Sequence, residues 1–142
     1  MTRARIAALV PQQGAMCLLD EILSFDENCV VCRTASHRSP ANPLRCDGRL
    51  PALAGIEYGA QAMAVHGALH AVQTAQDGLL AGARAVRCNA RYLDEESGPL
   101  TVRAERLVAE GSRLLYSFVV EGAQAELVSG RIAVVLAASP PR

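Results

Sequence analysis

The chain has 142 residues, of which 51% are apolar and 20% charged, and its formal net charge is zero. This composition argues against a disordered chain and against a nucleic-acid partner, so we expect one globular domain over residues 1–142. The apolar run before Pro11 is too short for a secretory signal, and the five cysteines are an odd number. The sequence therefore predicts a reducing, cytoplasmic location.

Two strands and a long loop are predicted before the longest helix. A short helix or strand at residues 2–10 and a turn at 11–15 come first. The apolar and β-branched residues of Met16–Phe25 and Cys29–Ser36 predict a hairpin with a tight turn between its strands. Residues 39–51 contain three prolines and are predicted to form a loop.

The predicted helix begins at Ala52 and extends to about Ala75. Ala and Gly dominate it, and Glu57, Gln61 and two histidines interrupt it, so membrane insertion is unfavourable and no membrane span is predicted. Its small side chains favour a buried helix with a sheet packed closely around it. Glu57 is an exception in these surroundings, because an ionised buried carboxylate is costly unless it has a partner or a chemical task.

After the helix the hydrophobic period changes from 3.6 residues to 2, which predicts a return to sheet. Turns are expected at 94–99, 111–112 and 122–124. The four strands they separate are Leu80–Leu93 with a bulge around Cys88 and Asn89, a half-exposed strand from Leu100, a central apolar strand over Leu114–Val120, and Glu126–Ala138. The order of elements predicts an α+β architecture, in which an antiparallel sheet of about five or six strands wraps around one long helix.

Two motifs carry the functional information. The first is LVPQQGAMCLLDEI at residues 9–22, and the second is EYGAQ at residues 57–61, which Pro51 precedes. Together with the element order, these motifs resemble the hotdog fold and, within it, the β-hydroxyacyl-acyl-carrier-protein dehydratases. The longer stretch GRLPALAGIEYGAQAMA is similar to the dehydratase-like hotdog subunits of aryl-polyene-type lipid pathways. In the first motif Gln12 stands where the family has His.

The resemblance implies a reaction on 3-hydroxyacyl thioesters carried by acyl carrier protein or coenzyme A. In the family, a loop His removes the α-proton, and the helix carboxylate of the other subunit protonates the departing hydroxyl. Glu57 matches that carboxylate. Gln61 lies one turn further on the same helix face, where it either holds the carboxylate in position or is only a surface amide of the helix. Backbone amides near the helix start hold the thioester oxygen. The substrate-binding positions implied here are Gly48, Leu50, Ala52, Gly55 and Gln61.

The loop that supplies the family's catalytic His carries none at the matching positions. One alignment places Arg49 there and the other Pro43. His37 is one candidate to replace the missing imidazole, although an exposed loop histidine is the more favoured interpretation. A second possibility is a thioesterase in which Glu57 acts alone as base or nucleophile. The third is a non-catalytic or half-site subunit, in which Arg49 binds a carboxylate, a phosphate or the pantetheine arm.

Neither a metal nor a cofactor is predicted. Cys29 and Cys32 lie three apart on a predicted strand, so they point to opposite faces and are interpreted as core or interface thiols. His66 and His70 have the i, i+4 spacing of metal ligands but lack an evident third ligand.

Three arginines on the strand after the helix, Arg84, Arg87 and Arg91, suggest contact with an acidic carrier or a phosphate. On a regular strand their spacings divide them between the two faces, which favours a solvated strand. A homodimer, or a heterodimer with another hotdog subunit, would extend the sheet edge to edge and complete the site between subunits.

Overall fold

A computed structural model describes residues 3–9, 14–70 and 78–136 of the chain. Two α-helices and six strands lie within these ranges. The helices are α1 (Arg3–Leu9) and α2 (Gly55–His70), and the strands are β1 (Glu21–Phe25), β2 (Cys29–Thr34), β3 (Gly78–Cys88), β4 (Leu100–Glu110), β5 (Arg113–Glu121) and β6 (Glu126–Leu136).

The six strands form one antiparallel sheet in the order β1-β2-β4-β5-β6-β3. Helix α2 packs across β2, β4, β5 and β6, and its buried face meets the inward residues of these strands. The predicted architecture of one long helix wrapped by an antiparallel sheet is therefore confirmed. Among the described residues, no helix has the length and apolar character needed to span a membrane.

The first strand is shorter than predicted. It begins at Glu21 rather than Met16, because Gly14–Met16 form a 3₁₀ turn and the backbone of Leu18 bonds elsewhere. The Leu18 amide donates to Gln61 of α2, and its carbonyl accepts from the Thr34 hydroxyl at the end of β2. These side-chain partners replace the sheet partners that the predicted strand would have had.

Strand β3 also ends early, at Cys88 rather than Leu93. The chain leaves the sheet there to pair with the segment before α2, since the Ala52 amide donates to the Arg91 carbonyl and the Leu93 amide donates to the Leu50 carbonyl. The irregularities of β3 lie between Leu80 and Gly82 and between Arg84 and Arg87, so the predicted bulge at Cys88 and Asn89 was wrong. The predicted ends of the helix beyond residue 70 and of the last strand beyond 136, and the turn at 11–13, lie outside the described residues.

Two glycines allow α2 to approach the sheet closely. A Cβ on Gly59 would lie 2.5 Å from Cγ of Phe118, and a Cβ on Gly55 would overlap the Val128 side chain. Phe118 and Val128 are fully buried, so neither can move away into solvent. The Ala- and Gly-rich composition of the helix is thus a packing requirement.

Alanine substitutions at two glycines inside this helix are expected to act in opposite directions. Gly59→Ala forces its methyl group against the Phe118 ring and should lower the free energy of unfolding by about 1–3 kcal/mol. Gly67→Ala is the matched control, because a Cβ there meets nothing within 4 Å and should stabilise the helix by about 0.5–1 kcal/mol. Urea denaturation of both variants measures the difference, and equal effects would contradict the packing.

Candidate functional site

Glu57 lies half-buried in the first turn of α2, and the Gln61 amide holds its carboxylate. The fully buried Gln61 donates from Nε2 to Glu57 Oε1 at 3.2 Å and to the Met16 carbonyl at 2.6 Å. Its Oε1 accepts from the Leu18 amide at 2.9 Å. The predicted contact between Gln61 and the carboxylate is formed, and the same amide also fixes the segment before β1.

A network of hydroxyl and amide groups extends from this point along the loop after β2. The Tyr58 hydroxyl lies 2.8 Å from Ser36 Oγ and accepts from Asn42 Nδ2 at 3.0 Å. Ser36 also donates to the Leu18 carbonyl at 2.7 Å. Burial raises the pKa of Tyr58, so its hydroxyl stays protonated in this network. The loop is therefore bonded to Tyr58, the residue after Glu57 in α2, through Ser36 and Asn42, which the sequence motifs did not single out.

Arg49, which one of the two alignments places at the position of the family's His, is held by an acidic loop between β3 and β4. Its Nε donates to Asp94 Oδ2 at 2.9 Å, while the Leu50 amide donates to Asp94 Oδ1 at 2.8 Å. The guanidinium carbon lies 3.9 Å from the centre of the Tyr92 ring. Although burial opposes the shift, the Leu50 amide and the Arg49 guanidinium hold the pKa of Asp94 below its usual value. The Arg49 side chain is thus held by its contacts with Asp94 and Tyr92 of the same chain.

Arg49 also lines a surface pocket of about 620 Å³. Arg91, Tyr92 and Glu95 contribute to the same wall, whereas Glu57 is not among the side chains that line this pocket. The structure therefore does not bring Arg49 and Glu57 together in this cavity.

Most of the predicted thioester-binding amides are used inside the chain. Leu50 donates to Asp94, Ala52 donates to the Arg91 carbonyl, and the Gly55 amide donates to the carbonyls of Ala52 and Leu53. The Leu53 amide makes no hydrogen bond to any residue that the structure describes, and its side chain is 60% exposed. The hydrogen-bond donor available at the helix start is accordingly the backbone amide of Leu53. Leu53 is not among the substrate-binding positions that the sequence implied.

Two predicted binding glycines have backbone roles in the structure. Gly48 is exposed, has a φ of 76° and offers its carbonyl to Arg45 Nη1 at 2.7 Å. Gly55 is buried against Val128 and faces the sheet. A role for either in contacting substrate stays a prediction.

His37 is fully buried, so the interpretation as an exposed loop histidine was wrong. Its Nε2 lies 3.0 Å from the Glu96 carbonyl, and its buried Nδ1 has no partner among the described residues. Burial lowers the pKa of His37, which favours the neutral ring. Neither its hydrogen bond nor the charges that shift its pKa involve Glu57. His37 is therefore a buried residue of the loop after β2, bonded to Glu96, and not a neighbour of the Glu57 carboxylate.

The other two histidines fasten the far end of α2 to the turn between β1 and β2. His66 Nε2 and His70 Nε2 lie 3.1 and 2.7 Å from the same carbonyl, that of Asp26. His66 Nδ1 lies 2.6 Å from the Tyr116 hydroxyl. Both rings therefore have protein partners that account for their i, i+4 spacing.

The cysteine pair on β2 is divided as its spacing predicted. Cys32 is fully buried and Cys29 is half-buried. Burial raises the pKa of Cys32 to about 12, so its thiol is protonated near neutral pH.

Comparison with known proteins finds a matching family and similar solved structures. Residues 4–140 match the model of the ApeP-like family, described as ApeP dehydratase. Comparison with curated proteins gives no match.

Among solved structures, the dehydratase heterocomplex ApeI:P from Xenorhabdus doucetiae is similar at a TM-score of 0.80, with 24% identity over 94% of this chain and 91% of that chain. A hypothetical thioesterase protein with coenzyme A from Streptococcus pneumoniae TIGR4 gives 0.60, with 12% identity over 85% and 88%. An HP0420 homologue from Helicobacter felis gives 0.64, with 13% identity over 95% and 90%. These likenesses show the hotdog fold.

The buried histidines make stability depend on pH. Because the pKa of His37 is lower in the folded chain than the value of about 6.5 in the unfolded chain, the unfolded chain binds more protons as the solution is acidified. The free energy of unfolding should therefore fall as the pH drops through about 6.5, and His66 should contribute in the same direction.

Urea titrations across this pH range would measure the effect for the wild type and His37→Gln. The variant should show a shallower dependence, because the contribution of the buried His37 is removed. A His37→Gln slope identical to that of the wild type would contradict the assignment.

Proposed function

The chain belongs to the ApeP-like dehydratase family, and from this premise we propose that it takes part in the dehydration of a 3-hydroxyacyl thioester on acyl carrier protein or coenzyme A. Glu57 is the helix carboxylate of the reaction, and a second hotdog subunit supplies the other proton-transfer group. In this reaction a base removes the proton from Cα, and an acid protonates the hydroxyl on Cβ. A 2-enoyl thioester and water are the products.

The fixed carboxylate of Glu57 is the observation that carries this proposal. A general acid or base must be held within hydrogen-bond reach of the proton it transfers, and the buried Gln61 amide restricts one Glu57 oxygen in this way. Gln61 cannot swing away without leaving its own bonds to Met16 and Leu18. The carboxylate is thus pre-positioned before any substrate binds.

The places of the three histidines support a second subunit. His37 bonds to the Glu96 carbonyl, and His66 and His70 both bond to the Asp26 carbonyl. All of the chain's histidines are accounted for by these contacts. The similar ApeI:P structure is itself a dehydratase heterocomplex, which is consistent with a site completed by a partner.

The helix start supplies the remaining element of the mechanism. Removal of the α-proton places negative charge on the thioester oxygen, and a helix N-terminus stabilises such charge through its unpaired amides. The Leu53 amide is the donor that we assign to this oxygen, because the amides of Leu50 and Ala52 are already bonded within the chain. Arg49 is assigned to the pantetheine or phosphate portion, where its exposed edge lines the neighbouring pocket.

Glu57→Gln tests the proposed chemistry, since it keeps the side-chain shape and removes the titrating group. Hydration of a 2-enoyl thioester should fall by about a hundredfold or more. The assay follows the loss of the conjugated thioester, for the chain alone and for the complex isolated with a tagged chain. Glu110→Gln is the matched control, because Glu110 is an exposed acid at the end of β4 and should leave the rate unchanged.

Free-thiol release from a saturated acyl thioester, measured in parallel, separates a dehydratase from a thioesterase. Thiol release that depends on Glu57, without enoyl hydration in either preparation, would overturn the dehydratase assignment. Full hydration by the isolated chain would overturn the requirement for a second subunit.

A further inference from the structure

The guanidinium of Arg45 ties together two distant parts of the loop that joins β2 to α2. Its Nε donates to the Ser39 carbonyl at 2.8 Å, its Nη2 to the His37 carbonyl at 3.1 Å, and its Nη1 to the Gly48 carbonyl at 2.7 Å. His37 and Ser39 follow β2, whereas Gly48 lies a few residues before α2. One side chain therefore fixes the two parts of this loop relative to each other.

The charge of Arg45 is used for geometry. Arg45 takes part in no ion pair with another described residue, and all three nitrogens of its guanidinium bond to backbone carbonyls instead. Hydrogen bonds from a charged donor are stronger than neutral ones, and the planar guanidinium holds its acceptors in fixed directions. A lysine at this position would keep the charge, but its single nitrogen cannot replace three donors spread over a guanidinium.

The Gly48 carbonyl belongs to a tight turn that carries Arg49. The backbones of Cys46 and Arg49 exchange two hydrogen bonds, of 2.7 and 3.0 Å, and the two residues between them, Asp47 and Gly48, have φ values of 52° and 76°. Positive φ at both central positions is typical of a type I′ turn. Because Arg45 bonds to the residue before Arg49, it fixes the place at which the turn presents the Arg49 backbone.

Arg49 and Glu57 are held by different contacts. Asp94 bonds to the Arg49 side chain, and Arg45 holds the turn that carries its backbone. Glu57 is held by Gln61, whose other hydrogen bonds go to the segment before β1. A change at Arg45 therefore reaches Arg49 before it reaches the carboxylate.

We propose that Arg45 is a positioning residue for substrate binding: it holds the turn at residues 46–49 so that the guanidinium of Arg49 meets the pantetheine or phosphate portion of the thioester. This inference rests on the role given to Arg49 in the proposed function. Because Arg45 acts through Arg49 and not through Glu57, its loss weakens binding and leaves the chemical step intact. The expected signature is a change in KM without a change in kcat.

Arg45→Lys tests the proposal, because it keeps the charge and removes the three-point contact. The substrate is a 2-enoyl thioester of phosphopantetheine, the arm that acyl carrier protein and coenzyme A share. Its hydration is measured for the complex isolated with a tagged chain, together with the affinity of that complex for phosphopantetheine alone. The variant should raise KM and Kd by about tenfold and leave kcat within about twofold of the wild type, since the turn is released and Glu57 is not.

Arg38→Lys is the matched control. Arg38 lies in the same loop, and its guanidinium donates at 3.2 Å to one carbonyl, that of Glu96. The charge is again kept, so this variant should change neither the binding of phosphopantetheine nor the rate of hydration.

A double-mutant cycle tests whether Arg45 acts through Arg49. Arg49→Gln removes the binding group itself, so adding Arg45→Lys to it should raise KM and Kd by less than about twofold further. The same tenfold effect of Arg45→Lys with and without Arg49, or a fall in kcat as large as the rise in KM, would mean a general disturbance of the fold and would overturn the proposal.

Hydrogen exchange in the chain alone tests the turn without substrate. The Cys46 and Arg49 amides close the turn, and they should exchange about tenfold faster in Arg45→Lys and at the wild-type rate in Arg38→Lys. Unchanged exchange in Arg45→Lys would contradict its hold on the turn. Phosphopantetheine that fails to bind the wild-type complex, or binds all variants equally, would overturn the link to Arg49, whereas weakened binding in Arg45→Lys without hydration by any preparation would count against the proposed chemistry alone.

Discussion

The buried amide of Gln61 is the contact on which the rest of the site depends. A primary amide without partners is costly inside a protein, and Gln61 avoids this cost by bonding to the backbone at Met16 and Leu18 and to the Glu57 carboxylate. These bonds connect α2 to the segment that enters β1. Since that segment is also bonded by Thr34 and Ser36, the carboxylate is positioned relative to the sheet as well as along its own helix.

The parts of this arrangement that could be predicted are those that depend on local spacing. Glu57 and Gln61 are one helical turn apart, so their contact follows from helix geometry alone. The change in hydrophobic period marked the return to sheet, and the composition of α2 indicated close packing, which Gly55 and Gly59 now explain. For the same reason the division of Cys29 and Cys32 between faces followed from the strand period.

Contacts between distant parts of the chain were not accessible to this reasoning. His37 is buried because the loop after β3 brings the Glu96 carbonyl to it from 59 residues away. The amides of Leu50 and Ala52 are occupied because that same loop pairs with the segment before α2. The bulge in β3 is a similar case, since a single additional residue reverses the face of every side chain beyond it.

The pairing of the loop before α2 also gives a physical reason why this chain can dispense with a loop histidine. Asp94 bonds to both the side chain of Arg49 and the amide of Leu50, and the backbone on either side pairs with Arg91 and Leu93. A loop held at so many points positions the helix start firmly, but it has no freedom to bring a base toward a substrate. In the proposed function, Glu57 of α2 therefore makes one proton transfer, and the other falls to a second subunit.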